Sequence, residues 1–340
     1  MENIIKPILV LFLFCGIDIT EKNRRWPKLF ASIYNATALG VISVKFYCGV
    51  VRCFYWRYTL DITITLAHWM MWWAMQIKKN KFIFLIQKMK PLKKELDPFD
   101  RQRLPKIAKK YSISVILLSC SCASLWIINL RIFKRTHCPF DVPNADIRNM
   151  LMNLAYEFGT AYINNYTIFS FSAFYILNCS VISNSLSMRK KRKNHAFNLY
   201  KTLLQHFEGI EETLSPFMLF LFVRIFSGFF MSLYVLLYAV RVRNVTIPFM
   251  SFVELFAHAT LMMITVLSAD HAQRKADQFR LSLYEYRHVI SSMEGKYARF
   301  VEDSKYLKLT AWGVFTIQKP LLLGVVAWIF TYTTVLLQFS

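Results

Sequence analysis

The sequence predicts an all-α, polytopic membrane protein with seven transmembrane helices. Length and apolarity are the first observation. Segments 29–51, 59–77, 111–130, 159–183, 216–240, 249–267 and 320–339 are each long and apolar enough to be spans, since crossing a hydrocarbon core of about 30 Å takes about 20 helical residues. Composition is the second: the 340 residues are 55% hydrophobic and 16% aromatic, with mean hydropathy +0.33. A soluble core of this size hides far less apolar surface. Charge distribution is the third. Segments 1–28, 78–110, 187–214 and 270–310 hold 5, 12, 6 and 8 Lys and Arg, whereas 52–58, 131–148 and 241–248 hold 2, 4 and 2. The excess of cations on one side places the N-terminus in the cytosol and, after seven crossings, the C-terminus outside. The net charge of +22 is therefore a topology signal, and no nucleic-acid partner is implied.

In order along the chain, Ile8 to Gly16 are apolar after Lys6. The run is too short to span, and Phe14-Cys15-Gly16-Ile17 is too bulky for a signal-peptide cleavage site. It reads as an uncleaved amphipathic segment on the inner membrane surface. The second span carries Asp61, His68, Trp69, Trp72 and Trp73. Cys120 and Cys122 in the third span read as small packing residues without C-x-x-C spacing. The second outer loop holds Cys138, Pro139 and Pro143. Cys53 and Cys138 both face the oxidising side, so they are either a disulfide or two free thiols. The fourth span contributes Tyr162, Asn164, Asn165 and Tyr166, the fifth Arg224, and the sixth Glu254 and His258. Arg224, in the inner half, is expected to snorkel or to pair near the cytosolic face. Asn244-Val245-Thr246 is a glycosylation sequon on the outer side, while the sequons at Asn35, Asn165 and Asn178 fall within spans. Segments 196–214 and 272–303 have helical spacing with charges of both signs, and should extend spans into the cytosol. A further cytosolic helix is expected at about 303–317, before Pro320 opens the last span.

Ionised groups in a bilayer normally face a bundle or cavity, because exposing one to lipid costs about 2.5–3.5 kcal/mol on insertion scales. Asp61 and His68 share a helix face, as do Glu254 and His258. With Trp72, Asn164 and their aromatic neighbours they are the candidate lining of an outward-facing ligand cavity. The competing reading is a set of structural interhelical hydrogen bonds. Neither reading involves covalent chemistry. His68, His258 and His271 lack the H-x-x-x-H spacing of a zinc site, and no G-x-S-x-G, Walker or Rossmann sequence occurs. No enzyme, cofactor or metal is predicted.

The last span ends Thr331-Tyr332-Thr333-Thr334-Val335-Leu336-Leu337-Gln338-Phe339, and Ser340 follows. Thr-Tyr, five mostly apolar residues and Gln-Phe resembles the C-terminal signature of the insect gustatory receptors, departing from it by the two middle threonines. Their inverted topology, shared with the insect odorant receptors, matches the charge pattern. A G-protein-coupled receptor has the opposite topology, and its Asp-Arg-Tyr and Asn-Pro-x-x-Tyr motifs are absent. The resemblance implies a ligand-gated, non-selective cation channel in the plasma membrane of chemosensory neurons. Its subunits, as a homo- or hetero-tetramer, would meet at a cytosolic anchor, with one last span from each lining the pore. It points to Gln338 and Phe339 as pore residues, and helical spacing places Val335 beside Gln338 on one face. The chain is then divided into a cytosolic segment 1–28, a ligand-binding bundle 29–267, an anchor 268–319 and a pore helix 320–340. The implied partners are a small tastant or contact cue, membrane lipid, and other gustatory receptors in the tetramer. The length suits a bitter, pheromone or other contact cue better than a sugar. The alternatives are a secondary transporter of a small polar solute, which should show internal repeats, or a G-protein-coupled receptor if the topology is reversed.

Overall fold

The computed structural model describes residues 7, 9–13, 16–17, 25–51, 56–95, 98–132, 147–186, 193–241, 246–287 and 308–338. Its helices are α1 (Arg25–Val51), α2 (Trp56–Ile77), α3 (Lys79–Glu95), α4 (Pro98–Ile132), α5 (Ile147–Leu186), α6 (Lys193–Arg241), α7 (Thr246–Arg287) and α8 (Lys319–Gln338), with strands β1 (Thr310–Ala311) and β2 (Phe315–Thr316) before α8. All seven expected spans lie on helices, apart from Phe339 outside the described residues. Ala161–Leu186, Leu199–Tyr234 and Phe252–Leu283 have the length and apolarity to cross a bilayer, and Lys319–Val335 is a shorter apolar helix. The chain is a multi-pass membrane protein.

Helix α5 is the centre of the bundle. It packs against α1, α2, α3, α4, α6 and α7, and 94% of its apolar window is buried in protein. That placement explains its many hydroxyls. Thr167, Ser180, Ser183 and Ser185 each donate to the carbonyl four residues earlier at 2.7–3.0 Å, so a buried polar side chain stays satisfied within its own helix. Asn178 Nδ2 does the same to Phe174.

Helices α6 and α7 continue well past the apolar spans, as the mixed-charge segments predict, over 196–214 and 272–287; residues 288–303 lie outside the described residues. Pro216 inside α6 cannot donate to the Glu212 carbonyl. Lys78 Nζ reaches that carbonyl at 3.4 Å, while Lys81 pairs with the Glu212 carboxylate. This exposed carboxyl is held below its usual range, first by the Lys81 hydrogen bond and then by its charge.

Two expectations are corrected. The N-terminal segment does not lie on a membrane surface: Leu11, Phe12 and Ile17 are buried in the bundle. Phe12 meets Phe82 of α3 and Phe174 of α5 edge-on, at 5.5 and 5.1 Å. The segment turns at Gly16, whose φ is +75°, and the Gly16 carbonyl accepts from Asn35 Nδ2 at 3.0 Å and Gln76 Nε2 at 3.2 Å. A Cβ there would fall 2.1 Å from Asn35 Oδ1. The aromatic slot, not the bilayer, takes the apolar side of this segment.

The helix expected at about 303–317 is, over its described residues, a β-hairpin. Thr310 pairs with Thr316 and Ala311 with Phe315, antiparallel. Trp312 and Gly313 at the tip have φ of 51° and 71°, a left-handed turn that no right-handed helix contains.

Candidate functional site

The hairpin is clamped from both long helices. On α7, buried Gln273 donates to the Ile317 carbonyl at 2.8 Å and accepts from the Leu309 amide at 3.0 Å, so one side chain holds both edges. On α6, Glu211 accepts from the Thr310 amide at 2.9 Å and from its hydroxyl. Ser215 Oγ accepts from the Trp312 amide at 2.6 Å. Asp270 then receives the first amide of α8 from Lys319 at 3.2 Å, and pairs with Arg274 at 2.8 Å. A carboxylate at this place acts as an N-cap supplied by another helix. The start of α8 is therefore fixed to α7.

Within α8 the two sides differ. Trp328 and Tyr332 pack edge-on against Phe230 of α6, at 4.2 and 4.1 Å, and Phe226 meets Trp328 at 5.6 Å. Tyr332 thus packs inward against α6. Thr331, Thr334, Val335 and Gln338 are exposed on the adjoining face. Thr331 donates to Ala327 of its own helix at 2.9 Å and stands on the same open face as Val335 and Gln338.

A polar cluster lies between α6 and α7. His258 Nδ1 is 2.8 Å from the Glu254 backbone carbonyl. A Cβ at Gly228 would stand 2.9 Å from His258 Nε2 and 3.1 Å from Arg224 Nη1. Glycine is needed there because the imidazole and the guanidinium close over the α6 backbone. Arg224 and His258 both stand over Gly228. Helix α4, which carries Cys122, also packs against α7. Gly228 and Cys122 carry no chemical signature in sequence; only the four-residue step from Arg224 to Gly228 hints at a shared face.

The remaining predicted positions divide. Trp72 is buried at 2% exposure with its Nε1 unpaired, whereas Trp69 and Trp73 stack on each other and are exposed. On α5, Phe158, Tyr162 and Tyr166 form a stacked ladder with centroids 6.1 and 5.2 Å apart; Phe158 is an addition whose four-residue spacing was readable. The side chains of Asp61, His68 and Asn164 lie outside the described residues, as do Asn244, Cys53, Cys138 and Phe339. No group of three or more metal-ligating side chains occurs among the described residues.

No protein-family model matches the chain, and no curated protein matches it either. Solved structures do. The insect olfactory receptor OR5 from Machilis hrabei in complex with eugenol superposes with TM-score 0.72 at 13% identity, over 100% of both chains. A second structure of that receptor gives TM-score 0.68 at 14% identity, again over 100% of both. The protein has the fold of that insect olfactory receptor.

Proposed function

We propose that the protein is a gustatory, contact-chemosensory receptor of the insect chemoreceptor superfamily, acting as a ligand-gated, non-selective cation channel. The observation that carries the reading is the two-sided α8. Trp328 and Tyr332 pack against α6, while Thr331, Val335 and Gln338 stay exposed on the adjoining face. Fourfold assembly around those open faces would turn them inward to a central pore. Gln338 then forms a ring of amides that hydrates passing cations, and Val335 with Phe339 forms apolar rings that close by dewetting. A small cue, chemically analogous in its role to the eugenol bound by the receptor of the same fold, would occupy the outward cavity. Asp61, His68, Trp72, Asn164, Glu254 and His258 are its proposed contacts. The ligand opens the pore only through tighter binding to the open state. The clamp of Gln273 and Asp270 offers a rigid route from α7 to α8.

The test is current and calcium recording from cells expressing the chain against a panel of tastants and contact cues. Ligand-dependent cation currents are expected. Saturable uptake without channel currents would replace the channel with a secondary transporter.

A further inference from the structure

Helix α4 has two unlike faces. Leu104, Ala108, Ser112, Val115, Ser119 and Ala123 are buried at steps of three or four residues, forming the side that meets the bundle, chiefly α5. Opposite them, Arg103, Lys106, Lys109 and Lys110 are exposed, and Ile113, Ile116 and Leu117 follow, also exposed. Arg103, Lys106, Lys110, Ile113 and Leu117 advance by three or four residues, so one stripe runs from cationic to apolar. The change occurs between Lys110 and Ile113, about 4.5 Å along the axis. Exposed isoleucine and leucine belong in hydrocarbon, which sets the lysines at headgroup level. The one carboxylate of α4 is Asp100 in its first turn, and none follows it before Asp141, so Lys106, Lys109 and Lys110 have no acidic residue after them on their own helix. On α7, Asp270 is engaged by Arg274 and Lys319.

We propose that this stripe is a binding site for an anionic phospholipid of the inner leaflet. Its phosphate lies among Arg103, Lys106, Lys109 and Lys110, and an acyl chain runs along Ile113 and Leu117. The charge complementarity and the direct continuation of cations into an outward apolar strip select a lipid over a soluble anion, which would use only the first half. The inference rests on the membrane reading and on no gating property, so a chain that conducts nothing can still satisfy it.

The full chain is reconstituted in nanodiscs of mixed phosphatidylcholine and phosphatidylserine, and lipids retained after transfer to detergent are identified by native mass spectrometry. Retained phosphatidylserine should exceed phosphatidylcholine. Lys106→Gln, Lys109→Gln and Lys110→Gln should each lower that preference by about fivefold, while Lys→Arg at all three positions preserves it. Lys201→Gln, at an exposed position on α6, should leave it unchanged. Equal preference in the parent and in monodisperse Gln variants overturns the site. So does an equal loss from Lys201→Gln, which would mean diffuse charge.

Discussion

At the scale of single residues, His206 has the clearest consequence. It is wholly buried in α6, before the expected span at 216–240, with neither ring nitrogen hydrogen-bonded. Burial first, and then the Lys88 charge, push its pKa down to about 3. The unfolded chain therefore binds a proton that the folded chain refuses between about pH 6.5 and 3. Stability should be complete above pH 6.5 and fall as the pH drops, by at most about 1.4 kcal/mol per unit from this group. Thermal unfolding of the purified protein across pH 7 to 5 should show that slope, and His206→Leu should flatten it. Identical slopes would place the acid sensitivity elsewhere. The ligand residues give a second prediction: Asp61→Asn or Glu254→Gln should right-shift the dose response with surface expression intact. His258 bonds the Glu254 backbone, not its carboxylate, so Glu254→Gln leaves that bond in place. Lost expression with no shift in the remaining response would mark the acids as structural. The identities of these acids and histidines were legible in sequence. Their neighbours were not, because Gly228 matters only where α7 crosses α6.

At the scale of elements, the hairpin and α8 make separate predictions. Gln273→Leu strips the partners from the Ile317 carbonyl and the Leu309 amide, both buried, at about 1–3 kcal/mol each. A lower melting temperature is expected, with Gln273→Glu intermediate since it keeps the acceptor for Leu309. An unchanged melt would mean that α6, through Glu211 and Ser215, holds the hairpin alone. On α8, Gln338→Glu and Gln338→Lys should move divalent permeability or conductance in opposite directions. If both variants reach the surface and conduct like the parent, α8 does not line the pore. Helices were readable because a run of about 20 apolar residues has one solution in a bilayer. The hairpin was not: Thr310 to Thr316 is too short for a reliable period, and its turn depends on Trp312 and Gly313 adopting positive φ under restraints from α6 and α7.

At the scale of the whole molecule, topology remains the decisive measurement. An epitope placed after Ser340 should be accessible to antibody on intact cells, and one before Met1 only after permeabilisation. The reverse would remove the channel reading and restore a G-protein-coupled one. The sequence by itself determined the class and the helices, since apolar length acts locally along the chain. It also determined the terminal motif, whose side facing α6 is the aromatic one. Tertiary structure alone decided that Phe12 fills a slot between α3 and α5, that Arg224 and His258 both stand over Gly228, and that a hairpin ties α7 to α8. Each of these joins residues far apart in sequence, and such contacts form only when packing brings two helices together. Periodicity describes a single helix; the partner across the gap is set by how all of them pack.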